Sequence, residues 1–177
     1  MQFDLSQIAD PEIRRLLADP ENPEDMAKGY LMLGVEAENR NDWEDAVEYY
    51  KQALSFDAKD PAVRYFGPNN LAWSLINLQR FEEAEEHCIA AIEVDQDRHN
   101  AHRNLGLACQ GQEKYSDAAV CFMNALFLDR SDRGAWRPLA QLLESHPEVL
   151  SETEGLADAM KHAREYYEAH GGVPDSK

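Results

Sequence analysis

This chain lacks a phosphate-cradling glycine loop, a nucleophile elbow and a dinucleotide fingerprint. Basic residues are scarce: 17 lysines and arginines face 34 aspartates and glutamates, a formal net charge of −17. A phosphate backbone or an anionic membrane surface would be repelled unless the few bases gathered on one face, so neither nucleic acid nor membrane is an expected partner. The acid excess is a solvated surface that keeps the protein soluble. Cysteines number three, at no paired spacing, which points to reduced thiols and a cytoplasmic address. The opening MQFDLSQIADPE has neither a basic start nor an apolar run and does not read as a signal peptide, and no stretch approaches a membrane span. Glycine is sparse, at 9 of 177 residues, while alanine, leucine and glutamate are plentiful. These residues lose little entropy in a helix, and the composition leans all-α, in one domain.

A repeat organises what is present. The segments YLMLGVEAENRNDWEDAVEYYKQAL, PNNLAWSLINLQRFEEAEEHCIAAI and HRNLGLACQGQEKYSDAAVCFMNAL align without gaps. Leu33-Gly34, Leu71-Ala72 and Leu105-Gly106 coincide, as do Ala46, Ala84 and Ala118, and then Ala53, Ala91 and Ala125. Larger residues recur between the alanines as Tyr50, Cys88 and Phe122, and aromatics before them as Trp43, Phe81 and Tyr115. Small residues let two antiparallel helices approach closely while aromatics fill the space around the contact. The breaks NRND, LQR and GQEK suit tight helix–helix connections. Each hairpin alone has too little core, so neighbours must stack.

The pattern resembles tetratricopeptide repeats, helix–turn–helix units of about 34 residues. The resemblance covers residues 27–60, 65–98 and 99–132, and implies a right-handed α-α superhelix of stacked hairpins. The proline that usually closes a repeat is replaced by Ala58, Gln96 and Arg130. Four extra residues separate the first two copies; they either lengthen a helix or sit in a linker before Gly67. Gly67-Pro68 reads as punctuation that starts the second leading helix. A partial repeat over 133–146 carries Trp136, Leu139, Ala140 and Leu143. Residues 150–171 read as a capping helix, opened by a Ser151…Glu154 capping box and ended at Gly171-Gly172; alternatively it lies in the groove or pairs with a second copy. Residues 1–22 form an N-terminal cap segment, in which Asp10-Pro11 begins a short helix and Asp19-Pro20 ends it, and Asn22-Pro23 starts the first leading helix.

No catalytic constellation is found, and no enzyme activity or cofactor is expected. His87, Cys88, His99 and His102 lack metal-ligand spacing and read as buried thiols and surface histidines. The resemblance implies a concave groove lined by the leading helices. Its candidate binding residues are Asn70, Trp73, Asn100, Arg103, Asn104, Leu107, Arg137 and Gln141, with Lys28, Leu31, Met32, Val35, Phe66, Asn69 and Asn77 beside them. An asparagine carries donors and an acceptor and can satisfy a peptide backbone; Asn70 and Asn104 share the slot two residues before the small residue, where the family commonly carries a groove-facing asparagine. Arginines would attract acidic side chains. The family's dicarboxylate clamp for heat-shock-protein tails maps onto Leu31, Val35, Asn70, Asn100 and Asn104; only the middle asparagine is kept and every clamp cation is missing, so a clamp is not expected. The expected role is a scaffold that binds a protein or peptide in its groove. The alternatives are a chaperone for a secreted or assembly client, and an oligomeric subunit that self-associates through its last helix.

Overall fold

The computed structural model describes residues 5–170. After a turn of 3₁₀ helix at Leu5–Gln7 come ten α-helices. They are α1 (Pro11–Leu16), α2 (Pro23–Asn39), α3 (Trp43–Ser55), α4 (Pro61–Asn77), α5 (Phe81–Val94), α6 (His99–Gly111), α7 (Tyr115–Leu128), α8 (Arg133–Ser145), α9 (Val149–Glu152) and α10 (Leu156–Ala169). Pairs α2/α3, α4/α5 and α6/α7 are antiparallel hairpins, stacked in order, with α2, α4, α6 and α8 forming the inner layer. Among the described residues no helix is long and apolar enough to cross a membrane.

The hairpins close where small residues meet aromatics. A Cβ on Gly106 would lie 2.6 Å from the ring of Phe122, and Gly34 is crowded by Tyr50 in the same way. Ala46, Ala53, Ala84, Ala91, Ala118 and Ala125 are fully buried along this seam. Each hairpin turn places one residue in the left-handed region, Asn41, Gln79 and Glu113, at φ near 60°. The next residue's N–H then reaches back to the last helical turn: Asp42 to the carbonyl of Ala37, Arg80 to Leu75, and Lys114 to Cys109. This is the Schellman closure, which satisfies carbonyls that the helix end leaves open.

Asp10 and Asn22 cap α1 and α2 with their side chains, each followed by proline at the first helical position. The second leading helix differs from its sequence reading. It starts at Asp60-Pro61, with Asp60 accepting from the N–H of Ala62, and runs unbroken through Gly67-Pro68. The four extra residues therefore add one turn to α4. Gly67 is a place of close approach, since a Cβ there would lie 2.8 Å from Leu54. Pro68 costs the carbonyl of Arg64 its helical partner, but does not break the helix. Asn70 consequently sits deep inside α4 and not in a first turn.

The C-terminal end also departs from expectation. Ser151 does not open a long helix; it belongs to short α9, and its hydroxyl bonds the carbonyl of Glu148. Helix α10 is capped by Gly155, whose φ of 76° lies in the left-handed region that favours glycine. Leu156, Met160, Ala163 and Tyr167 of α10 pack with Trp136, Leu139 and Leu142 of α8 and with the end of α7. The expected end at Gly171-Gly172 lies outside the described residues.

Candidate functional site

The inner helices share a register that lays their side chains out in rows. Val35, Trp73, Leu107 and Gln141 follow the small residue in α2, α4, α6 and the matching position of α8, so one row crosses the inner face. Val35 and Trp73 are exposed, Trp73 at 37%, and Leu107 is half-buried. Three apolar side chains thus line up across three consecutive helices, an arrangement that packing within each hairpin does not require. Arg137 and Gln141 are exposed on α8, while Asn70 and Asn100 are partly exposed. Asn77 is exposed near the end of α4, its amide turned back to the carbonyl of Trp73.

A second row is polar and joins each inner helix to the next. Between α2 and α4, the Ser74 hydroxyl donates to Glu38 at 2.9 Å. Between α4 and α6, the Asn104 amide donates to the side-chain oxygen of Asn69 at 3.2 Å and toward its backbone carbonyl at 3.4 Å. Asn69 in turn donates to Asn70 at 3.1 Å. Between α6 and α8, Asp132 accepts from Arg103 at 3.0 Å and bonds His99 Nδ1 at 2.9 Å, while capping α8 through the N–H of Gly134. Buried polar groups of this kind are tolerable because they are paired, and each pair fixes the register of one helix on its neighbour.

This row revises two sequence expectations. Asn104 does not present its amide to a partner: it is 2% exposed and its Nδ2 is held by Asn69, although its Oδ1 has no partner among the described residues. Arg103 does not offer a free charge, because its guanidinium is paired with buried Asp132. Lys28 is likewise paired, with Asp60 at 2.7 Å; that bond holds the Lys28 ammonium above its ordinary range and the Asp60 carboxyl below it. Of the three groove bases, Arg137 alone makes no ion pair among the described residues. The inner face is therefore amide-rich and apolar rather than basic.

Sequence reasoning missed Asp132 and Glu38. The signal for Asp132 was available, because an aspartate directly before a helix start is a capping signal, as Asp60 is for α4. Glu38 carries a testable consequence. Burial pushes its carboxyl above the ordinary 4.5, with the Ser74 and Tyr50 hydroxyls pulling the other way. An unfolded chain ionises this group at the ordinary value, so the folded state loses stability as pH rises through the raised pKa. Glu38→Gln is expected to melt higher than wild type at neutral pH, with the difference closing as pH falls to 4.5 and below. A pH-independent difference would contradict this reading.

No cluster of histidine, cysteine and carboxylate able to hold a metal occurs among the described residues. His102 instead bonds the carbonyl of Gln96, and the three cysteines are free thiols. Cys88 is buried, which pushes its thiol up.

Residues 39–107 match the family model for tetratricopeptide repeats. No curated protein sequence matches the chain. Among solved structures, the Arabidopsis OM64 TPR domain shares 23% identity over 70% of this chain and 98% of that domain, with a TM-score of 0.64. MamA, residues 41 to the end, from Desulfovibrio magneticus RS-1 shares 16% over 90% and 86%, with a TM-score of 0.70. The second TPR domain of human RPAP3, solved with the HSP70 peptide SGPTIEEVD, shares 25% over 68% and 98%, with a TM-score of 0.61.

Proposed function

We propose, on the premise that this chain is a tetratricopeptide-repeat protein, that its inner face is a non-catalytic binding surface for a segment of another protein. The observation that carries the reading is the apolar row Val35, Trp73 and Leu107, the first two exposed and the third partly so, on an inner face where Asn104, Arg103 and Lys28 are bonded within the fold. Trp73 supplies the anchor, a large amphipathic side chain of the kind that dominates interface energetics. Asn70 borders this row, partly exposed, with its Oδ1 accepting from Asn69, and Arg137 with Gln141 extends the surface over α8 and supplies hydrogen bonds to a main chain.

The related RPAP3 domain was solved with an HSP70 peptide. Leu31, Val35, Asn100 and Asn104 stand where a clamp for such a tail would need its charges and outer amide, so a terminal carboxylate finds no charge-assisted bond here. The ligand is instead an internal segment, held by apolar contact and main-chain bonds.

The test is to recover the partner by affinity purification and titrate it against Trp73→Ala. An affinity loss of about ten-fold or more is expected, as for a central interface anchor. The indole is 37% exposed and the rest of it is covered by the fold, so a modest fall in the thermal melt is expected as well, and the titration is run well below it on folded protein. Undiminished affinity would remove the inner face from the account.

A further inference from the structure

The repeat frame acts as an internal control, and α7 departs from it. Where α3 and α5 carry Glu48 and Glu86, α7 carries Val120; where they carry Ser55 and Glu93, it carries Phe127. Helices α3 and α5 present acids along their length, whereas α7 holds only Asp117. Val120 and Phe127 lie seven residues apart, on one stripe, and both are exposed, Phe127 at 83%. Nothing in the hairpin needs an aromatic there, since the sibling repeats fold with polar residues in the same slot.

Beside this stripe, α7 and α10 enclose a cleft of about 370 Å³. Its walls include Met123, Leu126 and Met160, and Phe127 stands on its lining. The titratable residues of the lining, Arg130 and His162, are both basic, in a chain with twice as many acids as bases. Lys161 and Arg164 of α10 are exposed too, as are the acids Asp158 and Glu165, which at i−4 and i+3 share the His162 face of the helix. Among the described residues Arg130, Lys161 and Arg164 take part in no ion pair.

We propose that this cleft is a second docking site, separate from the inner face, for an amphipathic helix of another protein whose apolar residues are flanked by acids. Methionines and an exposed aromatic give an adaptable apolar floor, and the helix-in-groove mode requires such a floor between two helices. Arg130, on the lining and outside any ion pair among the described residues, selects an acidic flank.

The probe is a phage-displayed library of helical peptides panned against the full chain, with the selected peptides then titrated. One class is expected to combine leucine or phenylalanine with aspartate and glutamate. Its affinity should fall about ten-fold or more with Phe127→Ser, as for an anchor residue, fall also with Arg130→Glu and with added salt, and remain unchanged with Trp73→Ala. Circular dichroism of Phe127→Ser checks that the helices persist. The proposal is overturned if no selected peptide depends on Phe127, or if those that do are basic. It is equally overturned if light scattering shows a dimer of the wild-type chain that Phe127→Ser dissociates, which would assign the face to a second copy.

Discussion

Trp136→Ala is expected to lower stability by about 3–5 kcal/mol, the range for removing a large aromatic from a packed interior. Trp136 is almost fully buried, among Leu139, Leu142, Val149 and Leu156. Its ring lies 5.1 Å from that of Tyr167, so it is the contact through which α10 reads the position of α8. For a chain of this size the loss corresponds to a fall in Tm on the order of 10 °C. Stacked repeats couple to their neighbours alone, so the damage should stay local: hydrogen exchange should rise first in α8 and α10, with α2 to α5 unaffected. Trp136→Phe separates two contributions. It keeps an aromatic against Tyr167 and removes an indole N–H that has no partner among the described residues, so its cost should be much smaller. A loss under about 1 kcal/mol in the alanine variant would mean that α10 is held by something other than this seam.

The second large effect belongs to Asp132→Ala, expected to cost about 2–4 kcal/mol. The carboxylate is buried and serves three donors at once: the Arg103 guanidinium, the His99 ring and the N–H of Gly134. Removing it leaves Arg103 without its counter-charge and α8 without its cap. The estimate stands below that for a wholly buried pair because the Arg103 side chain keeps about a quarter of its exposure, at 26%. Asp132→Asn keeps an acceptor for Gly134 and should recover about 1 kcal/mol, the worth of the cap. A cycle with Arg103→Ala should show a coupling of about 1–2 kcal/mol; additive losses would show that the pair is incidental to the α6–α8 contact.

Of these two residues Trp136 was legible in the sequence, as part of the partial repeat, and Asp132 was not singled out. The hairpin frame was legible because one physical requirement, a small residue facing a large one across a close helix pair, recurs at Gly34–Tyr50 and Gly106–Phe122. Capping was legible at Asp10-Pro11 and Asn22-Pro23 for the same reason: the chemistry is local. It failed at Gly67-Pro68, where a strong turn signal was overridden by the packing of Leu54 on Gly67 and by an earlier cap at Asp60-Pro61. It failed again at Ser151, where the spacing of a capping box is present but Gly155 takes the cap of α10. The binding face was legible by row, not by orientation. Repeat register located Trp73, Leu107, Asn104 and Arg103 on the inner helices. Register says nothing about which neighbour an amide or guanidinium will choose, and Asn69 and Asp132 took two of them.

One consequence is that Asn104 and Arg103 are poor probes of binding. Altering either disturbs helix stacking as well as any ligand. Trp73 and Leu107 are better, and Ile89, exposed on the outer helix α5, supplies the control. The most direct test places a photoreactive side chain at Leu107 or at Ile89 in the full chain, and irradiates each with the purified partner. A cross-link is expected from position 107, weakened by Trp73→Ala at partner concentrations near the dissociation constant, and none from position 89. Cross-linking from position 89 with none from position 107 would contradict the inner-face reading, and would move the binding surface to the outer helices.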